Sequence, residues 1–295
     1  MKRRSFLASL AALGAAPYLG ARAQAAPAAS AAARASLKVT NVEVLQVTGK
    51  NKRKALYLKI HTDEGVTGLY GPIDNEAGMF VDQFFKRRLI GQDPLANETF
   101  WDAMFRADRH SRGSHYIIGL SAVDNALWDL RGRLFGLPVY RLLGGSRSKV
   151  TAYASCLGFS QEPSALQAKV RELKQQGYRH QKWFVRDRGP SFGPEGVEAD
   201  TRVVRLAREA AGDDVDLMFD AFWRWDLQYA LAWARRAEQY RPRWIEEPFL
   251  TADLDTFVEF SRKTSIPVAT GEHFYGRRDV HEFLKADAIM VVQAD

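Results

Sequence analysis

Three carboxylates define the chemistry this sequence could perform. Leu217-Met218-Phe219 runs into Asp220, Trp244-Ile245 into Glu246, and Pro267-Val268-Ala269-Thr270-Gly271 into Glu272. Both gaps between these acids are 26 residues. A strand-to-helix-to-strand return needs roughly 30 residues. Each gap therefore holds one such return, and three parallel strands end in an acid at the same edge of one sheet. Converging carboxylates repel one another unless a cation sits between them, and hard oxygen donors suit a magnesium-like ion. The competing reading is three unrelated strand-end acids in salt bridges.

The elements that must position these acids follow from the pattern around them. From residue 150 onward, short apolar runs alternate with amphipathic stretches. Strands are expected at 150–155, 180–185, 216–220, 243–246, 267–271 and 288–292. Helices are expected at 163–176, 198–211, 227–238 and 253–264, with Gly177 and Gly212 closing the first two. Repeated βα units mean a parallel sheet, open or closed into a barrel, and polar residues at several strand ends favour the barrel. Residues 37–145 read differently, as an α+β domain. Val42, Val44, Leu56, Leu58 and Ile60 alternate with polar neighbours, as half-buried antiparallel strands do. The strongest helical pattern is 119–135, where Leu120, Val123, Leu127, Leu130 and Leu134 share one face.

Composition bounds the remaining possibilities. The 295 residues are 46% hydrophobic and 12% aromatic, enough for a substantial core. The formal charge is +7, but Lys2, Arg3, Arg4 and Arg22 supply four of those charges. No basic run interleaved with aromatics follows, which argues against a nucleic-acid surface. One cysteine, Cys156, excludes an internal disulfide and a cysteine-based zinc site. Residues 1–25 read as an export signal: a basic start, an apolar stretch too short to span a bilayer, and small-x-small cleavage sites. Arg3-Arg4-Ser5-Phe6-Leu7 resembles the twin-arginine signal, which implies a periplasmic protein with no stable membrane association after export. The Ala-rich residues 26–36 read as a linker.

Several motifs together resemble the enolase superfamily, within it the mandelate racemase and muconate lactonizing group. The helix Ser121-Ala122-Val123-Asp124-Asn125-Ala126-Leu127-Trp128-Asp129-Leu130, with Gly136-Leu137-Pro138 and Leu143-Gly144-Gly145, is similar to the end of that group's capping domain. Trp244-Ile245-Glu246-Glu247-Pro248 and Gly271-Glu272-His273 are similar to its metal-binding strands. The resemblance implies an α+β capping domain at 37–145 and a TIM-type (β/α) barrel from 146 onward. It implies Asp220, Glu246 and Glu272 as Mg2+ ligands with Glu247 behind them, and a symmetric homo-oligomer. In such a family a base removes the proton beside a substrate carboxylate, and the divalent cation stabilises the resulting enediolate. Loss of a neighbouring hydroxyl then needs a general acid.

The base is the open question in the sequence. Where many members of the group carry Lys-x-Lys, this chain has Lys182-Trp183-Phe184, and Phe184 cannot titrate. Where another subgroup places a histidine after the first metal ligand, this chain has Phe222. Both departures resemble the subgroup of L-rhamnonate dehydratase, whose base is a histidine on the seventh barrel strand oriented by an aspartate ending the sixth. Asp295 matches that aspartate. With about two βα units expected beyond it, on the order of 60 residues, the chain is expected to be an incomplete six-strand barrel, poorly stable and without normal turnover.

Further candidates are His273, for the departing hydroxyl, and Lys182 and Arg186, for the anionic substrate. The alternative for Lys182 is an ion pair with Glu246 or another acid inside the barrel. His61, His110, His115, His180 and His281 are read as structural or exposed. The implied activity is a Mg-dependent sugar-acid dehydratase giving a 2-keto-3-deoxy acid. A racemase, epimerase or cycloisomerase of the same superfamily ranks lower, because Phe184 removes a base from one face. A non-catalytic metal- or sugar-acid-binding remnant is the third reading.

Overall fold

The computed structural model describes residues 37–294 except 51, 109, 111, 112, 186 and 187. The export signal and linker expected at 1–36, Arg186 and Asp295 therefore lie outside the described residues. The chain divides into two compact units between Ser146 and Arg147.

In the first unit, β1 (Val39–Thr48), β2 (Lys54–Thr62) and β3 (Thr67–Ile73) form an antiparallel sheet in that order. The alternation in the sequence sets its faces: Val42, Leu58 and Ile60 are buried. A helical run follows, from α1 (Asn75–Phe80) through a π-helical turn (Val81–Phe85) into α2 (Lys86–Leu89). Then come α3 (Asn97–Ala107), α4 (His115–Phe135) and the short α5 (Val139–Leu142). The five leucine and valine positions expected on one helical face are all buried in α4, each side chain contributing roughly 1.5–3 kcal/mol. Gly136, in the left-handed region at φ +66°, ends α4. Helix and sheet approach closely at Gly68, where a Cβ would lie 2.0 Å from the Ala126 carbonyl oxygen. Only glycine fits there.

In the second unit, six parallel strands run in sequential order: β4 (Ala154–Ser155), β5 (His180–Phe184), β6 (Asp216–Asp220), β7 (Trp244–Glu246), β8 (Val268–Thr270) and β9 (Val291–Val292). Between them lie α6 (Pro163–Gln175), α7 (Gly193–Ala211), α8 (Leu227–Ala237), α9 (Leu254–Lys263) and α10 (Arg277–Lys285). The main core packs these helices against Trp183, Leu217, Phe219, Ile245 and Val268 on one sheet face. On the opposite face Met218, Trp244 and Ala269 form a smaller cluster with Val291 packed against it. Both faces are thus covered, which is why β6 reads as a continuous apolar run rather than an alternation.

The expected strand at 150–155 shrinks to Ala154–Ser155, the two residues that pair with β5. Val150 is 86% exposed. The strand expected at 288–292 likewise shortens to Val291–Val292. Ala288 and Ile289 are still buried there. Cys156 is a free, buried thiol, and burial pushes its pKa up to about 12, leaving it protonated and inert. No helix among the described residues is long and apolar enough to cross a membrane.

Candidate active site

Register aligns the acid-bearing strand ends. Phe184 sits opposite Asp220, and Asp220 opposite Glu246. Met218, Trp244 and Ala269 share the inner face, so Asp220, Glu246 and Gly271, two residues further along each strand, share it too. Asp220 and Glu246 are both buried. Lys182, on the neighbouring β5, is buried between them. Its Nζ lies 2.5 Å from Glu246 Oε1 and 3.4 Å from Asp220 Oδ2. The ion pair considered as the alternative for Lys182 is therefore what the structure contains.

The electrostatics follow from this crowding. Burial, reinforced by the Glu246 charge, pushes the Asp220 carboxyl from its ordinary 3.8 up to about 7. Lys182 and the Phe222 N–H, which donates to Asp220 Oδ1 at 2.9 Å, oppose that rise without cancelling it. Burial would depress the Lys182 ammonium, but its bond to Glu246 and the charges of Glu246 and Asp220 hold it above its ordinary value. The two directions are compatible: Lys182 sits closer to Glu246 than to Asp220, so Asp220 is left as the less compensated acid. Glu272 is also raised, first by partial burial and then by Glu247 and Glu246.

Glu247 lies 1% exposed behind these acids. Thr270 Oγ1 donates to its Oε1 at 3.1 Å, and His273 Nδ1 lies 2.9 Å from the same oxygen. Trp223 Nε1 donates to Oε2. Three donors on one carboxyl fit an ionised acid. A carboxylate can only accept, so His273 carries its proton on Nδ1 toward Glu247 and leaves Nε2 for chemistry. The geometry depends on unusual backbone. Phe222, Trp223 and Glu247 all have left-handed φ values, +52°, +56° and +41°. Such non-glycine residues cost on the order of 1–3 kcal/mol each and concentrate at functional sites. Backbone bonds from Ala221 N to Glu246 O and from Trp223 N to Glu247 O hold the two loops in this form.

An aromatic arc borders the acids. Phe184 and Phe222 meet edge to face at 5.7 Å, Phe222 stacks on Trp223 at 4.7 Å, and Trp223 meets the His273 ring edge to face at 4.4 Å. Phe184 and Phe222 bring no titratable group to this side.

Among the described residues, the set whose ligand atoms all lie within 4.8 Å of one another is Glu247, Glu272 and His273. Asp220 and Glu246 are joined by Lys182 instead, and Glu272 is 39% exposed at the rim. Four carboxylates, Asp220, Glu246, Glu247 and Glu272, thus face one ammonium and a histidine. This excess of hard negative donors, with Asp220 and Glu272 both raised by their neighbours, fits a divalent cation. Sequence reasoning found the strand-end acids, Glu247 and His273. It missed Thr270 and Trp223 as donors to Glu247, for which the sequence holds no spacing signal.

Six parallel strands, with Asp220 and Glu246 ending β6 and β7 and Glu272 just past β8, following an α+β unit with a three-stranded sheet, define an enolase-type architecture with a partial (β/α) barrel. The family model for the mandelate racemase / muconate lactonizing enzyme N-terminal domain matches residues 32–144, and that for the enolase C-terminal domain-like family matches 165–295. The chain belongs to the mandelate racemase / muconate lactonizing enzyme family of the enolase superfamily. It is 32% identical over 245 residues to D-galactonate dehydratase from Ralstonia pickettii (strain 12J), covering 81% of this chain and 64% of that protein. The chain thus spans less than two thirds of that relative's length. It superposes on the 3,6-anhydro-D-galactonate cycloisomerase from Zobellia galactanivorans with a TM-score of 0.76 at 29% identity, covering 88% of this chain and 72% of that one. A candidate mandelate racemase from Bordetella bronchiseptica RB50 is 30% identical with a TM-score of 0.77, again over 88% of this chain and 72% of that one.

Proposed function

We propose that this chain carries the metal-binding residues of a sugar-acid dehydratase, a hydro-lyase that converts an acid sugar into a 2-keto-3-deoxy acid. The observation that carries this reading is the buried set of Asp220, Lys182 and Glu246 beside Glu272, built on successive parallel strand ends. The likeness to D-galactonate dehydratases supports the substrate class.

Asp220, Glu246 and Glu272 would hold a magnesium-like cation. Such an ion supplies positive charge to the substrate carboxylate as the adjacent proton leaves. Lys182, kept charged by its acid neighbours, is a poor base and a good counter-charge for that carboxylate. When protonated on both ring nitrogens, His273 would deliver the Nε2 proton to the departing hydroxyl, while Glu247 fixes the ring through Nδ1. The α-proton would pass to the base that Asp295 orients, the hydroxyl would leave as water with the proton from His273, and the enol that remains would rearrange to the ketone. Arg186 and Asp295 keep their sequence-based roles, substrate anion binding and orientation of a base.

The test is incubation of the protein with Mg2+ and a panel of aldonates, D-galactonate included, with detection of a 2-keto-3-deoxy product. Asp220→Asn, Glu246→Gln and Glu272→Gln should each abolish both product and calorimetric Mg2+ binding. Unchanged Mg2+ binding in all three would sink the reading. The likeness to a cycloisomerase favours isomerisation as the second reading. Deuterium uptake at the α-carbon without water loss would select it.

We further propose that residues 1–25 direct twin-arginine export and that the mature protein is a periplasmic homo-oligomer. Cell fractionation of wild type against Arg3→Lys/Arg4→Lys, and the solution mass of the exported protein, decide these two points.

A further inference from the structure

β9 runs beside β8 on the same sheet as the acid-bearing strands. Ala269 pairs with Val291, and Thr270 with Val292. Val291 packs with Met218, Trp244 and Ala269 on the inner face. Side chains alternate along a strand, so Gln293, two residues on, is carried to that same face and nearer the C-terminal edge. Its backbone is fixed there: Gln293 N donates to Thr270 O at 3.1 Å. The neighbouring strand makes room for it with Gly271. A Cβ at 271 would lie 2.5 Å from the Gln293 carbonyl oxygen, so no side chain from that position can cover the amide.

Gln293 Oε1 is buried and has no hydrogen-bond partner among the described residues. Buried amide oxygens are nearly always paired, because an unpaired one forfeits its hydration for nothing. The described groups nearest in sequence on the adjacent strand end are Glu272, an acceptor when ionised, and Thr270, whose hydroxyl donates to Glu247. The described residues supply this oxygen with no donor.

We propose that the Gln293 side-chain amide binds substrate, its oxygen accepting a hydrogen bond from a hydroxyl of the acid sugar and so helping to set specificity. This rests on the dehydratase reading and deepens it. A hydroxyl is the donor that every sugar acid offers in several copies, and an amide oxygen facing it distinguishes one epimer from another by geometry.

The experiment compares wild type with Gln293→Leu, which keeps the bulk and removes the polar atoms. Both full chains are titrated calorimetrically in Mg2+ with the tightest-binding aldonate of a panel and with its monodeoxy analogues. Thermal melting is followed without substrate. Affinity is expected to fall about tenfold, or about 1.4 kcal/mol. The substrate-free melting temperature should hold or rise, since the variant removes an unpaired buried acceptor. One monodeoxy analogue should bind both proteins equally, because its missing hydroxyl is the one Gln293 reads. Affinities within twofold of each other, or a lowered melting temperature with equal losses for every analogue, overturn the proposal. Gln293→Met decides by the same criteria if the leucine variant does not fold. If no aldonate binds wild type, the dehydratase reading falls and this inference with it. If aldonates bind and the variant is indifferent, only this inference falls.

Discussion

Lys182 is the residue on which the site's charge balance turns. It is the one described ammonium inserted between the buried acids of β6 and β7. Removing one partner from a buried charge pair costs about 3–5 kcal/mol, because the charge left behind has neither water nor counter-ion. Lys182→Met is therefore expected to lower the urea-unfolding free energy of the metal-free protein by several kcal/mol at neutral pH. Added Mg2+ should recover most of that loss, since the same acids then gain another cation. A variant whose unfolding curve matches wild type would show that Asp220 and Glu246 do not depend on it. His273 makes a separate prediction. Its Nδ1 is tied to Glu247, so His273→Asn keeps a similar size while losing the proton donor. The expected result is a fall in kcat on the order of 10²-fold or more, with little change in KM. Legibility at this level was uneven. Equal spacing exposed Asp220, Glu246 and Glu272, because a βα unit has a nearly fixed length. Trp223 was hidden, because its indole reaches Glu247 through left-handed backbone that no residue type advertises.

The elements hold these side chains through strand ends and the loops that follow them. Gly271 is the most constrained of those loop positions, with φ +144° and the Gln293 carbonyl 2.5 Å from where a Cβ would stand. Gly271→Ala is expected to destabilise by at least about 1–3 kcal/mol from backbone strain alone, and to weaken Mg2+ binding by displacing Glu272. A melting temperature within a degree or so of wild type would refute the constraint. Helix starts were legible where a side chain caps them. Asp226 accepts from Tyr229 N at 2.8 Å and Asp253 from Thr256 N at 3.3 Å, which set the beginnings of α8 and α9. By contrast α10 was not foreseen. Arg277, Arg278, Asp279, His281, Glu282 and Lys285 dominate it and only Phe283 is buried, too thin an apolar stripe to show a period. The strand at 150–155 was overread for the opposite reason. Its residues have strand propensity, but a ladder needs a partner, and only Ala154 and Ser155 meet β5.

Across the whole molecule, the two units were separable in sequence because their patterns differ: alternating antiparallel strands and one long amphipathic helix, then repeated βα units. What composition could not reveal is the electrostatic load that the second unit carries at neutral pH. Asp220 titrates near 7 in the folded protein against its ordinary 3.8, with burial and then Glu246 as the causes. Between those two values the folded state binds more protons than the unfolded state, so stability falls as pH rises through the window. Glu272 is raised as well and adds in the same direction. Lys182, also raised, contributes stability that is present throughout this window and is lost only at high pH. The metal-free protein is therefore expected to melt at a higher temperature at pH 5 than at pH 7.5, the reverse of a protein whose carboxylates are all well paired. Saturating Mg2+ should flatten that slope, because a bound cation favours the ionised acids and resists their protonation. Asp220→Asn should flatten it without metal, since the largest titrating contribution is then gone. Melting curves from pH 4.5 to 8, with and without Mg2+, read all three outcomes in one series. A slope that survives both Mg2+ and Asp220→Asn would mean that the strand-end acids do not share one field, and the case for a common cation among them would fail.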